Sequence, residues 1–205
     1  MANRANFVTL MRIIGAIPLF FLIMLSPYNH QIKLAALGWL IFVALTDFFD
    51  GWLARSRYGQ ITDLGKELDP LADKLLVAAI YIPLIHVLET ALLPILTFIM
   101  IFRDTTVSWL RSVAAHHNLT ISARSSGKLR TICSYTLGFV LVARIKVNSP
   151  SAAWWLTDWT VDLPHWLLGI LIALLAGVTL YSLYDYLSAA PFLRRLIRSP
   201  NFKKM

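Results

Sequence analysis

The sequence predicts an all-α integral membrane protein with six transmembrane helices, on three observations. Of its 205 residues, 58% are hydrophobic and 15% charged, whereas soluble domains have about 45–50% apolar and about 25% charged residues. The apolar residues gather into six runs, each close to the ~20 helical residues that cross a hydrocarbon layer about 30 Å thick. Most of the cations, which give a net charge of +8, fall at the ends of those runs. That placement points to anionic lipid headgroups and phosphorylated substrates, and away from nucleic acid.

The first span is read over residues 7–25. It is longer than the core of a signal peptide, and no small-residue cleavage site follows it, since the chain continues Ser26-Pro27-Tyr28-Asn29-His30. The second span covers 33–54. The third covers 69–88, with Asp69 as N-cap and Pro70 in the first turn, where proline is tolerated. Glu89-Thr90 makes a short turn into the fourth span, 92–110. A polar, basic stretch fills 111–130, and the fifth span covers 131–147. A loop with Trp154, Trp155, Trp159 and Trp166 reads as an interfacial aromatic belt. The last span covers 167–187, and Arg194, Arg195, Arg198, Lys203 and Lys204 follow. With no internal repeat or low-complexity tract, residues 1–205 read as one membrane-embedded domain. Cys133 is the single cysteine, so no disulfide can form within the chain; it reads as a packing residue.

Cation placement orients the spans. With the N-terminus inside, one face collects Arg4, Arg55, Arg57, Lys66, Lys74, Arg111, Arg124, Lys128, Arg130 and the C-terminal cluster; the other has Lys33, Arg144 and Lys146. The positive-inside rule then assigns both termini and the loops 55–68 and 111–130 to the cytoplasm.

Four carboxylates stand on or beside these spans: Asp47, Asp50, Asp69 and Asp73. Each costs about 2.5–3.5 kcal/mol in such a place even on a lenient scale, so the group needs a counter-charge. Successive helical residues turn by about 100°, which puts Asp47 and Asp50 on one face of the second helix. Asp69 and Asp73, four apart, share a face of the third. The connection between the helices is short, so the two pairs can face each other at the cytoplasmic end. Hard divalent cations answer this need, and Mg2+ or Mn2+ suits carboxylate sites that also meet phosphates. Gly51 and Ala54 leave room for a ligand to approach the backbone, and Arg55 can reach a phosphate. The plainer reading is that the acids pair with Arg55, Arg57, Lys66 and Lys74 at a helix end. For a single acid that reading has equal standing; for four in this arrangement it explains less.

Asp47-Phe48-Phe49-Asp50-Gly51-Trp52-Leu53-Ala54-Arg55, followed by Gly65, Asp69 and Asp73, resembles the signature of the CDP-alcohol phosphotransferase family, D-x2-D-G-x2-A-R, a spacer, then G-x3-D-x3-D. The spacer from Arg55 to Gly65 is nine residues, one more than is usual there. The extra residue falls in the loop. Within the family the chain is most similar to the phosphatidylglycerophosphate synthase group. Asn6 to Arg12 resembles its N-x-x-T-x-x-R pattern, and Leu68 to Ala78 its third-helix opening. Gly127-Lys128-Leu129-Arg130-Thr131 resembles its G-K-x-K-T element, with Arg130 in place of lysine. Thr179 to Ser182 and Tyr186-Leu187 resemble its last helix, while Arg103-Asp104 stands where Arg-Glu is common.

The resemblance implies six transmembrane helices, a homodimer, a cytoplasm-facing cavity in the bacterial inner membrane, and two divalent ions. Asp47, Asp50, Asp69 and Asp73 would hold the metals, with Asp73 also general base. Asp47, Asp50, Gly51, Ala54, Arg55 and Gly65 would line the CDP site. The expected substrates are CDP-diacylglycerol and glycerol 3-phosphate, joined by a single displacement, since no further nucleophile stands out. His86, His116, His117 and His165 read as loop or interfacial residues.

An acceptor with its own phosphate needs cations beyond those that hold CDP. Arg103, Arg111, Lys128 and Arg130 are the candidates, with Thr9 and Arg12 behind them. Arg103, deep in an apolar run beside Asp104, reads as functional or as a buried ion pair; Arg111 reads equally as topology-setting charge. Inositol phosphate, serine or phosphatidylglycerol remain alternative acceptors. A membrane ion or metal transporter is the reading from another class. The clustering of the acids at one membrane face and the lack of an inverted repeat count against it.

Overall fold

A computed structural model describes residues 4–53, 63–116, 125–147 and 163–188, by backbone alone at 4–8, 47–53, 63–67, 69 and 116. The described residues form six helices: α1 (Arg4–Leu25), α2 (His30–Leu53), α3 (Asp63–Leu88), α4 (Leu92–His116), α5 (Ser125–Arg144) and α6 (His165–Ser188). Ala54, Arg55, Arg57, His117, Arg124, Trp154, Trp155, Trp159 and the C-terminal cations lie outside the described residues.

The helices pack as a closed ring. Going around it, α1 touches α2, α2 touches α5, α5 touches α6, α6 touches α4, α4 touches α3, and α3 returns to α1; α3 and α5 also meet across the middle. All six contribute to one apolar core, with Leu19, Leu40, Tyr81, Leu96, Leu141 and Ile172 among its members. At the crossing of α3 and α5, a Cβ on Gly138 would lie 2.9 Å from Ile80 Cγ2, so only glycine admits the approach. Nearby, Tyr81 donates from its hydroxyl to the Ser134 carbonyl at 2.8 Å, giving its buried polar tip a partner.

The outward faces are apolar as well. Ile95, Phe98 and Phe102 of α4 and Ile170, Leu174 and Leu180 of α6 are exposed. A water-soluble bundle turns polar residues outward; these faces suit hydrocarbon. Among the described residues, Pro70–Leu88, Leu92–Ala115 and His165–Ser188 are long and apolar enough to cross a membrane, while Thr9–Leu25 and His30–Thr46 are shorter apolar helices. Among the described residues every regular element is a helix, and the chain is a helical integral membrane protein.

Two boundaries correct the sequence reading. Helix α3 starts at Asp63, so Asp69 is not its N-cap and Pro70 sits inside the helix. The stretch 111–130, read as a loop, is helical over 111–116 and 125–130. Hydropathy finds where a helix leaves the apolar layer, whereas its backbone hydrogen bonds continue wherever the chain can still make them. Arg111, Lys128 and Arg130 therefore stand on helices.

At one end of the ring, polar groups close off helix termini. Lys33 is buried and its Nζ donates to the Ile145 carbonyl at 2.8 Å, capping the end of α5. Arg144 donates to the Leu163 carbonyl just before α6. Glu89, with φ 47°, turns the chain from α3 into α4.

Candidate active site

The other end of the ring holds a cavity of about 290 Å3 among α3, α4, α5 and α6. Helical spacing decides which residues face it. From α4 come Asp104, Val107, Ser108 and Arg111, at positions i, i+3, i+4 and i+7, with Arg103 beside them. From α5 come Gly127, Arg130 and Thr131, again i, i+3 and i+4, and Lys128. Pro70 and Asp73 come from α3, and Tyr186 from α6.

A buried ionic network forms the floor. Arg103 Nη1 donates to Asp104 Oδ1 at 3.0 Å, and Arg130 Nη2 donates to Asp104 Oδ2 at 2.6 Å. Arg103 Nη2 also donates to Ser182 Oγ at 2.6 Å. All four residues are buried. One carboxylate facing two guanidiniums leaves an excess positive charge, which favours an anion above it. Ser126 Oγ donates to Asp185 Oδ2 at 2.6 Å and ties α5 to α6.

Tyr186 organises the wall between these cations. Its hydroxyl accepts from Arg111 Nη2 at 2.8 Å, and the Arg103 and Arg111 guanidiniums lie 5.1 and 5.3 Å from its ring centroid. Gly127 makes room for this: a Cβ there would lie 3.3 Å from Tyr186 Oη and 3.4 Å from Arg103 Nη2. The sequence reading noted Tyr186 only in the pattern of the last helix and gave it no place in the site, because an aromatic residue on an apolar helix looks like any core or lipid-facing residue.

At the edge of the cavity, Asp73 is 58% exposed, and its Oδ1 lies 3.7 Å from Nη1 of the buried Arg12. Thr9, one turn earlier on α1, is buried too. Thr9 and Arg12 are not among the residues lining the cavity. The structure thus brings Arg103, Arg111, Lys128 and Arg130 together around one space, and sets Arg12 against Asp73 instead.

The remaining aspartates are placed by their helices. Asp47 and Asp50 stand three apart on α2, with Gly51 after them; Asp69 and Asp73 stand four apart on α3, with Gly65 one turn before Asp69. Val43, one turn before Asp47, packs with Ala16 of α1 and with Leu76 and Ala79 of α3. Leu76 is three residues beyond Asp73, and α1, which packs against both α2 and α3, stands between them in the ring, so the two are not the direct neighbours that the short connection suggests. Asp73 is the member of the quartet whose side chain is described, and among the described residues no three His, Cys, Asp or Glu side chains gather. The quartet fits a divalent ion in kind, since all four residues are carboxylates, and Asp73 is accessible at the edge of the cationic cavity.

A helical membrane bundle with aspartates three apart on α2 and four apart on α3, and a cationic cavity that Asp73 borders, defines a class. The chain belongs to the CDP-alcohol phosphatidyltransferase family, whose profile matches residues 2–176. It is 34% identical over 191 residues to a CDP-diacylglycerol–glycerol-3-phosphate 3-phosphatidyltransferase of Pseudomonas fluorescens, covering 92% of this chain and 90% of that one. Proteins of the same name are similar in Bacillus subtilis, with 38% identity over 143 residues (64% of this chain, 72% of the other), and in Yersinia pestis, with 30% over 190 residues (92% and 94%).

Proposed function

We propose that this protein transfers the phosphatidyl group of CDP-diacylglycerol to sn-glycerol 3-phosphate, giving phosphatidylglycerophosphate and CMP. The observation that carries the acceptor is the charge of the cavity. Arg103, Arg111, Lys128 and Arg130 line it against two carboxylates, Asp73 and Asp104. The surplus of two positive charges matches a dianionic phosphomonoester and leaves serine, which has no phosphate, without a counterpart. The names of the relatives point to the same acceptor.

In this reading Arg111 and Lys128 hold the acceptor phosphate, with Arg103 behind them, and Arg130 serves mainly to neutralise Asp104. The bound alcohol then presents its hydroxyl to Asp73. As the hydroxyl oxygen bonds to the lipid-side phosphorus, its proton passes to the Asp73 carboxylate. The bond from that phosphorus to the bridging oxygen breaks, and CMP leaves with the electron pair. Arg12 holds the Asp73 carboxylate in place. Two divalent ions, Mg2+ or Mn2+, on Asp47, Asp50, Asp69 and Asp73 would supply Lewis-acid stabilisation of the diphosphate charge. Gly51, Ala54, Arg55 and Gly65 would line the CDP site.

We place the cavity at the cytoplasmic face of a bacterial inner membrane, from the cation distribution, and expect a homodimer, which cross-linking in native membranes would reveal. The deciding experiment incubates purified protein with CDP-diacylglycerol and labelled glycerol 3-phosphate, inositol phosphate, serine or phosphatidylglycerol, and follows CMP and lipid product. Product with glycerol 3-phosphate alone is expected. Product with another acceptor and none with glycerol 3-phosphate would replace the assignment, and no CMP release with any of them would remove the enzyme reading.

A further inference from the structure

We propose that Tyr186 is the positioning residue of the acceptor site, holding Arg111 in the one arrangement that receives a phosphomonoester; this rests on the reading of glycerol 3-phosphate as acceptor. Arg103 is fixed by Asp104 and Ser182. Arg111 is an exposed residue near the end of α4, and the structure ties its guanidinium to Tyr186 twice, through the hydroxyl at 2.8 Å and over the ring at 5.3 Å. An arginine on a helix surface otherwise samples many rotamers, and choosing one costs entropy on each binding event.

The same ring carries the Arg103 guanidinium at 5.1 Å. Two like charges so close repel, and the negative face of an aromatic ring offsets part of that repulsion. Tyr186 is only 2% exposed, on a helix that is otherwise largely open to its surroundings, so it cannot easily move aside. A Cβ at position 127 would press on its hydroxyl at 3.3 Å, and the glycine there leaves the ring this place. Tyr186 therefore sets the spacing of two cations before the acceptor arrives. Its contribution falls on binding of the phosphorylated alcohol and not on the chemical step.

Kinetics of Tyr186→Phe, which keeps the ring and loses the hydroxyl, test this. The KM for glycerol 3-phosphate should rise roughly tenfold, the scale of one hydrogen bond to a charged group. The kcat should stay within about twofold and the KM for CDP-diacylglycerol should not change. In an Arg111→Ala background, Tyr186→Phe should add nothing further, because the group it positions is gone. Tyr186→Leu should raise the same KM further; where that variant unfolds, Tyr186→Phe, checked by its melting temperature in detergent, decides. An active wild type with an unchanged KM in Tyr186→Phe, a fall in kcat alone, or additive effects with Arg111→Ala would overturn the positioning role only. A wild type that releases no CMP with glycerol 3-phosphate would overturn the functional reading and this role with it.

Discussion

At Asp73 the carboxylate stands at the cavity edge with Arg12 beside it, open enough to meet a substrate hydroxyl. Asp73→Asn keeps the size of the side chain but cannot accept the proton. Transfer should fall by at least about 100-fold, while binding of CDP-diacylglycerol, read by equilibrium dialysis, stays detectable; full turnover would refute the base assignment. Arg111→Ala and Lys128→Ala should each raise the KM for glycerol 3-phosphate, with kcat less affected. An unchanged KM in both would remove the case for a phosphorylated acceptor. Asp104 behaves differently. Asp104→Ala leaves Arg103 and Arg130 buried without their shared carboxylate, and should destabilise the fold by about 3–5 kcal/mol, read by thermal unfolding in detergent. At this scale the sequence is legible where chemistry is local. The spacing of Asp47, Asp50, Asp69 and Asp73 is visible in the string, and so is Arg103 next to Asp104. Arg130 as the second partner of Asp104, and Tyr186 between two arginines, depend on which helices meet, and no local pattern contains that.

The helices show why a span and a helix are different objects. Six apolar runs mark six helices, but α4 continues to His116 and α5 begins at Ser125. Those extra turns carry Arg111, Gly127, Lys128 and Arg130 into the cavity wall on helical spacing. A loop reading of 111–130 keeps the right cations and loses the periodicity that gathers them. Asp69 likewise read as a cap because Pro70 follows it, yet α3 runs through both. Close helix approach is a second feature that packing alone reveals. Gly138 lets α5 meet α3 with Ile80 Cγ2 2.9 Å from where a Cβ would stand. Ile80 is β-branched and stiff at χ1, so it cannot swing away. Gly138→Ala should destabilise by about 1–3 kcal/mol through overpacking, measured by unfolding in detergent. Most of that loss should vanish in an Ile80→Ala background, where the opposing methyl is absent. Equal penalties in both backgrounds would mean that the contact does not limit the crossing.

Taken whole, the molecule is polarised along the axis of its ring. One end carries the cavity and its four cations; the other carries Lys33 and Arg144, both turned to backbone carbonyls at helix ends, and the exposed Lys146. A cation bonded to a buried carbonyl has its charge partly satisfied within the protein, whereas the exposed Arg111 and Lys128 offer theirs to whatever faces them. The positive-inside rule counts Lys and Arg near span ends, and more of them fall at the cavity end, so that end should face the cytoplasm, where a soluble phosphorylated alcohol would reach it. The single cysteine makes this testable. In a Cys133→Ser background, exposed Lys146 at one end and exposed Ser112 at the other can each be changed to cysteine. In intact bacterial cells opened only at the outer membrane, a membrane-impermeant maleimide should label Lys146→Cys at once and Ser112→Cys only after the inner membrane is broken. The reverse pattern would turn the molecule over, placing the cavity on the side away from cytoplasmic substrates, and the proposed reaction could not then proceed as written.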